Sequence, residues 1–376
     1  MKQLSWLEID LSAIAKNVQY FKNFLKGKTK LLAVVKSNAY GHGLTEVGKT
    51  AEAAGADWLG VGSVEEGLTL RKAGVKIPIL VFLYPGFSDL KKAIKENLVF
   101  TVWDKDTVRI IAQTAKELKT TAKVHLKVDT GMHRLGAEPA EAVELANFIY
   151  RLPNIELEGV YSHFATATSR DKSFVFKQLS VFHETIEAIE KKDIKIKLKH
   201  IANTAACLSM TSSHLSMVRV GLGIYGLFPT TELRSFFELK PALTWKTKIV
   251  AIKKVKGGEK VGYDGIYTTP APQVLGIVPV GYADGLDRKL SNVGKMIIRN
   301  KRVPIVGRIS MNMTILNLSD IENPKIGEDV IIIGKAKTEQ ITAGELAGYL
   351  DTIPYEIVTR IAEHIPKKFI KGGKNV

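Results

Sequence analysis

The chain has 376 residues, 45% of them hydrophobic and 24% charged, with a formal net charge of +16 and one cysteine. That length suits about two domains with a large core, and a lone Cys207 excludes an intrachain disulfide and fits a reducing compartment. The lysines are scattered among Asp and Glu. Their densest runs, Lys195–Lys199 and KKFIKGGK, read as solvated basic surface without nucleic-acid motifs, so no nucleic-acid partner is expected.

The opening MKQLSWLEIDL carries Glu8 and Asp10 where a leader peptide needs an apolar run. No stretch reaches the ~18 apolar residues of a membrane span. A cytoplasmic protein without membrane contact is expected.

Short apolar runs follow in order: LLAVV (31–35), WLGVG (58–62), IPILVF (77–82), LVFTVW (98–103), KVHLKV (123–128), IELEGVYSH (155–163), KHIAN (199–203) and MVRVG (217–221). Several are near-continuously apolar, as strands covered on both faces should be. Helical patterns separate them. In SVEEGLTLRKA (63–73), Ser63 and Glu66 have capping-box spacing and Gly74 follows as a stop. The alternation suggests an α/β fold, an N-terminal (β/α)8 TIM-type barrel over 1–235, although a doubly wound sheet would alternate in the same way.

In a barrel, chemistry gathers where the strands end. Lys36 closes the first run, in AVVKSNAYGHG, where poor solvation favours a neutral, nucleophilic amine. If a helical turn begins there, Tyr40 shares the face of Lys36. A plain strand-capping lysine is the alternative. The fifth run leads into KVDTGMHRLG with Lys127, Asp129 and Arg134, and the sixth ends at Tyr161, Ser162 and His163. A lone histidine there is structural as readily as catalytic. The seventh ends at Asn203 and Thr204; the eighth carries Arg219, then Gly221 and Gly223. Thr204 and the amides around Gly221 could bind phosphate, or the glycines could simply make a turn.

After about residue 235 the texture changes to β-branched runs broken by Gly, Pro and Asn: TKIVAIKKV (247–255), QVLGIVPVGY (273–282), KMIIRNKRVPIVGR (295–308), MTILNL (313–318) and DVIIIG (329–334). Helical stretches are few, at 341–350 and 355–365. The reading is a mainly β C-terminal domain over 236–376.

Taken together, WLEIDLSAIAKN, AVVKSNAYGHG, KVDTGMHRLG, SHFATA, HIANTAA, RVGLGIYG, VGYDGIYT, PVGYADG, VGRISMNM and DTIPYE resemble the alanine racemase family over nearly the whole chain. The resemblance implies an isomerase that interconverts L- and D-alanine for peptidoglycan. It also implies pyridoxal 5′-phosphate held as a Schiff base, and a homodimer with shared active sites. By that likeness Lys36 is the Schiff-base lysine and one racemising base. Tyr263 is the opposite-face base, contributed by the second subunit. Arg219 partners the pyridine nitrogen and His163 supports Arg219 and Tyr263. Tyr40, Thr204, Gly221, Leu222 and Tyr355 hold the phosphate. Arg134 and Met311 meet the substrate carboxylate, Tyr282 lines the site, and Lys127 matches a lysine that some members carbamylate. Asp171, Arg288, Arg308 and Ile353 match an access channel. No metal is implied.

Departures from the pattern are Thr204 in place of serine, Asn312 in place of aspartate and His133 in place of glycine. Racemisation calls for bases on opposite faces of the cofactor plane. Tyrosine is a weak base at its reference pKa of about 10, and an Arg219–His163 pair would supply positive charge that favours phenolate. Guanidinium only donates, so a nitrogen facing Arg219 stays unprotonated and the electron sink is weakened. The competing readings are a racemase of broader specificity for serine, lysine or arginine, a barrel decarboxylase, and a non-catalytic cofactor carrier. A decarboxylase would want a carboxylate where Arg219 stands.

Overall fold

The computed structural model describes residues 4–27, 29–86, 88–230, 232–372 and 374–375. Met1–Gln3 and Val376, at the ends of the expected domains, and Gly373 in KKFIKGGK lie outside the described residues.

The expected barrel is present. Strand β1 (Ser5–Asp10) and helix α1 (Leu11–Phe24) precede it. Its eight strands are β2 (Lys30–Val34), β3 (Trp58–Val61), β4 (Ile79–Val81), β5 (Leu98–Val102), β6 (Ala122–Lys127), β7 (Ile155–Tyr161), β8 (Leu198–His200) and β9 (Met217–Val220). They pair in parallel in the order β8-β7-β6-β5-β4-β3-β2-β9. The seam between β8 and β9 closes through two backbone bonds, Ser216 N–H to Lys199 O (3.1 Å) and Arg219 N–H to Ala202 O (2.9 Å). Every residue of β3, β5 and β9 is buried, which is why those runs lack period-two alternation. Helix starts are fixed by short polar side chains. Asp10 accepts from the N–H groups of Ser12 and Ala13, and Asp104 accepts from Thr107 N–H.

The C-terminal part is mainly β, as expected, but it recruits the start of the chain. No strand is expected before Leu31, yet β1 pairs antiparallel with β10 (Leu243–Lys248) and parallel with the strand Lys367–Lys371. Trp6, Leu7 and Ile9 are buried there. Asn17 ties α1 to the crossing segment: its amide donates to Ile224 O (3.1 Å) and Lys240 O (2.8 Å) and accepts from Lys240 N–H (2.8 Å).

Two other segments differ from expectation. KMIIRNKRVP is a hairpin, Lys295–Ile298 against Lys301–Pro304, turning on Arg299 and Asn300 at φ 47 and 67. The expected helix at 355–365 covers only Pro354–Thr359, because the chain then bends to bring His364 Nε2 within 2.9 Å of Asp284 Oδ1. Among the described residues no helix is long and apolar enough to cross a membrane.

Candidate active site

Lys36 follows β2 at the mouth of the barrel. A helical turn does start there, but Ser37, Asn38, Ala39 and Tyr40 have φ of 54, 52, 52 and 53, so the turn is left-handed. Each non-glycine residue is disfavoured there by about 1–2 kcal/mol, so the surroundings must hold the turn. Asn38 N–H donates to Glu66 Oε1 (3.0 Å), and Asn38 Oδ1 accepts Leu44 N–H (2.8 Å). The capping box is therefore half-formed. Ser63 Oγ accepts Glu66 N–H (3.2 Å), while the Glu66 carboxylate turns away to Gly62 N–H (2.8 Å) and to the Lys36 loop. A Cβ on Gly41, at φ +81, would meet Val358 O at 2.7 Å, so this glycine lets helix Pro354–Thr359 approach.

That approach brings Tyr355 to Tyr40, ring centroids 5.7 Å apart, and Tyr225 packs on Tyr40 at 4.9 Å. Burial pushes the Tyr40 hydroxyl well above the ordinary phenol range and Tyr355 up to about 12, leaving both as neutral donors. A Cβ on Gly221 would strike the Tyr40 hydroxyl oxygen at 2.6 Å. Thr204 Oγ1, buried at a helix start, accepts Gly221 N–H (3.1 Å), and Leu222 follows, buried, in a 3-10 turn. Hydroxyls of Tyr40 and Thr204 thus converge on the backbone at Gly221.

The mouth is strongly cationic. Burial and then Arg134 lower Lys36, against the opposing pull of Glu66. Its side chain remains reachable from solvent, but enough protein surrounds it to favour the neutral amine. Burial, Arg134 and Arg219 lower Lys127 to about 8. Asp129 is the nearby carboxylate, and its Oδ1 accepts the N–H groups of Gly131, Met132 and His133 at 2.9, 2.8 and 3.1 Å. His133, at φ 51, stays exposed with Nδ1 4.0 Å from Asp129 Oδ2. It does not fill the mouth.

Arg219 on β9 is 4% exposed and spends its donors inward: to His200 Nδ1 (2.8 Å), His163 Nδ1 (3.0 Å), Ser162 O (2.7 Å) and Ile201 O (3.1 Å). Burial and then Arg219 hold His163 well below the usual imidazole range, so it is neutral. The positive charge of the Arg219–His163 pair therefore sits on Arg219, and His163 accepts from it. His200 is likewise held well below, His125 is lowered, and His42 is lowered to about 4, in each case by burial first.

These neutral histidines predict an acid limit to stability. Unfolded, each would gain a proton near pH 6.5, whereas the native rings do not; the unfolded state then binds more protons. Stability should be level above about pH 7 and fall by about 1.4 kcal/mol per pH unit for each such ring below about pH 6.5. Urea midpoints of cofactor-free protein across that range test this; an unchanged midpoint would show the rings to be charged in the native state.

Tyr263, Tyr282 and Met311 are elsewhere. They are 66%, 44% and 56% exposed on the C-terminal domain. No hydrogen bond or ion pair among the described residues joins their side chains to Lys36, Arg134 or Arg219. Tyr282 and Met311 adjoin each other through the backbone. Tyr282 and Ala283 N–H donate to Ser310 O (3.1 Å) and Met311 O (3.0 Å), and a Cβ on Gly281 would collide with Met311 O at 2.3 Å. Beside Tyr263, Arg308 Nε binds Asp264 Oδ2 at 3.1 Å. Of the other residues expected to match an access channel, Arg288 sits in the turn Arg288–Leu290, Ile353 is exposed, and Asp171 Oδ1 accepts Ser173 N–H at 2.8 Å; Asn312 is exposed as well.

A parallel barrel with a poised lysine, a hydroxyl cradle and a buried arginine at its strand ends has the architecture of a barrel enzyme. Family models extend the match: the alanine racemase N-terminal domain fits residues 9–229 and the C-terminal domain residues 242–369. An alanine racemase of Desulfosudis oleivorans is 40% identical over 381 residues, covering 99% of this chain and 98% of that protein. A solved alanine racemase of Clostridium difficile 630 superposes with a TM-score of 0.95 at 34% identity, over 100% of this chain and 98% of that one. One from Bacillus anthracis with bound L-Ala-P superposes at 0.92 with 37% identity, over 100% and 97%. The chain belongs to the alanine racemase family.

Proposed function

We propose that the chain racemises alanine with pyridoxal 5′-phosphate, as a cytoplasmic homodimer, and so supplies D-alanine for peptidoglycan. Each active site then combines the barrel mouth of one subunit with the C-terminal face of the other. The observation that carries this reading is the division of the candidate residues between the cationic barrel mouth and exposed positions on the C-terminal domain, where Tyr263, Tyr282 and Met311 face solvent. The mouth suits the cofactor. It offers a poised amine at Lys36, a donor-only group at Arg219, and a cradle at Gly221 that a Cβ would fill. When bound, the cofactor delocalises the electron pair left by the departing α-proton.

The protein residues have distinct tasks. The Lys36 amine, favoured by burial, takes or returns the α-proton on one face, and the partner subunit's Tyr263 does so on the other. His163 accepts from Arg219 at Nδ1, which leaves its proton on Nε2 to donate toward the partner's Tyr263. Arg219 would donate to the ring nitrogen and so keep it unprotonated. Tyr40, Tyr355, Thr204 and the backbone at Gly221 and Leu222 would hold the phosphate, the Gly221 amide turning to it from Thr204 Oγ1. Arg134 and the partner's Met311 bind the substrate carboxylate, and the partner's Tyr282 lines the pocket. Lys127, lowered to about 8, has a neutral fraction that can attack carbon dioxide and shed a proton. The resulting carbamate anion would orient Arg134.

Subunit mixing tests the shared site. Lys36→Ala and Tyr263→Phe proteins should each be inactive, while a one-to-one mixture should recover about a quarter of wild-type activity. Half of the dimers are then mixed, each with one intact site. No recovery, with exchange demonstrated by mass, would place both bases in one subunit.

A further inference from the structure

From Arg219 a line of polar side chains runs away from the barrel mouth through the barrel interior. Arg219 Nη1 lies 2.8 Å from His200 Nδ1, and His200 Nε2 lies 3.0 Å from His125 Nδ1. His125 Nε2 is 3.7 Å from Glu158 Oε2, and Glu158 Oε1 accepts from the Lys123 ammonium at 2.7 Å. At 3.7 Å the His125–Glu158 contact is an ion-pair separation rather than a hydrogen bond. Yet both atoms are buried, and neither has a hydrogen-bond partner among the described residues. They face each other.

The ends of this line fix its direction. Guanidinium can only donate and an ionised carboxylate can only accept. His200 Nδ1 must accept from Arg219, so its proton is on Nε2. That proton points at His125 Nδ1, which must therefore accept, so the His125 proton is on Nε2, toward Glu158. A proton on His125 Nδ1 would turn an N–H against His200 or force an N–H against Arg219. Both rings are therefore neutral, in agreement with burial lowering both. Burial acts to raise Glu158, but His125 and Lys123 outweigh it and bring the carboxyl down to about 2, so it is ionised.

The backbone is shaped around the rings. A Cβ on Gly159 would meet the His125 ring at 2.8 Å, and the β6–β7 pairing shifts register between Val124 and His125. Glycine inside a strand weakens it unless something needs the space, and here the imidazole fills it. Trp58 lies against His125 at 5.3 Å, and Tyr161 stacks on His200 at 4.7 Å, 5° from parallel, its hydroxyl 2.9 Å from Thr101 Oγ1.

We propose that Glu158 and His125 are positioning residues for the racemase. They lock His200 as the Nε2–H tautomer, so that its Nδ1 lone pair always holds Arg219 in its donor orientation. The catalytic consequence rests on the reading that Arg219 faces the cofactor ring; the tautomer lock does not. With the lock intact, no imidazole proton competes with the guanidinium, and the ring nitrogen keeps its single donor.

The test is nitrogen NMR of the dimer with isotopically labelled histidine imidazoles, with and without cofactor, using His125→Gln and His200→Gln for assignment. Both rings should be neutral Nε2–H tautomers across the neutral pH range. Glu158→Gln keeps an acceptor oxygen and should preserve tautomers and kcat. Glu158→Leu removes it, so His200 should gain Nδ1–H population and kcat should fall about tenfold or more at nearly constant KM, with increased pyruvate as by-product. An Nδ1–H or charged His200 in the wild type would overturn the proposal, as would a Glu158→Leu protein with unchanged tautomers and kcat. If Glu158→Leu fails to fold, the wild-type tautomers and Glu158→Gln still decide: loss of the tautomers in Glu158→Gln would overturn it. Intact tautomers with an Arg219→Glu variant of normal activity would instead overturn the ring-facing assignment of Arg219.

Discussion

Replacing Lys36 by alanine is expected to lower racemisation in both directions by about four orders of magnitude or more while leaving the fold intact. The side chain reaches into the solvent-accessible mouth and makes no hydrogen bond or ion pair among the described residues, so its removal costs little stability. On the proposed reading its loss would remove both the covalent anchor of the cofactor and the base on one face. Borohydride treatment of the wild-type protein, followed by peptide mapping, should find the cofactor on Lys36. Lys127 is the informative competitor, since its amine is lowered too and, unlike Lys36, its side chain is buried. Reduced cofactor mapped to Lys127, or a folded Lys36→Ala protein within tenfold of wild type, would contradict the assignment.

Arg219→Glu should have the second largest effect, and of a different kind. A carboxylate in that place accepts where guanidinium donates, so the ring nitrogen would gain a proton and become a stronger electron sink. Racemisation should fall by about three orders of magnitude, a barrier increase of about 4 kcal/mol. A new absorption band at long wavelength should appear during turnover, with pyruvate accumulating from transamination. The substitution also strips donors from Ser162 O, Ile201 O, His163 and His200. Each buried acceptor left unpaired costs about 1–3 kcal/mol, so circular dichroism and cofactor content must first show a folded, loaded protein. Such a protein with wild-type rate and no pyruvate would mean that Arg219 is only a structural strand-end residue.

The barrel was legible because buried parallel strands leave near-continuous apolar runs, as LVFTVW does for β5. Strand β1 was not, because six residues alternating as SWLEID carry little signal, and their partners lie more than 230 residues away at Leu243–Lys248. The left-handed hand of the Lys36 turn was also invisible. Ser, Asn, Ala and Tyr give no glycine to mark positive φ, and only tertiary contacts such as Glu66 to Asn38 impose it.

Strand ends single out Lys36, Lys127, His163, Thr204 and Arg219, and the structure places each of them at or just beyond the end of a barrel strand. The sequence does not place Glu66, His125, Glu158 or His200 near the site. His125 and His200 do leave a trace, since each is a titratable residue between buried apolar neighbours, Val124 and Leu126 in KVHLKV, and Leu198 and Ile201 around KHIAN. Such a residue needs a buried partner, and the partner of one was the other. Tyr263 and Met311 came only from family likeness, because nothing local distinguishes an exposed tyrosine or methionine that a second subunit would use.

The central claim is alanine racemisation, and it is tested most directly by chiral chromatography. Purified protein with added pyridoxal 5′-phosphate should be given L-alanine, D-alanine and a panel of L-serine, L-lysine and L-arginine. The account predicts that either alanine enantiomer moves to a nearly equal mixture, at rates well above those for the larger substrates. Alanine left at its starting configuration while another amino acid is racemised or decarboxylated would contradict it.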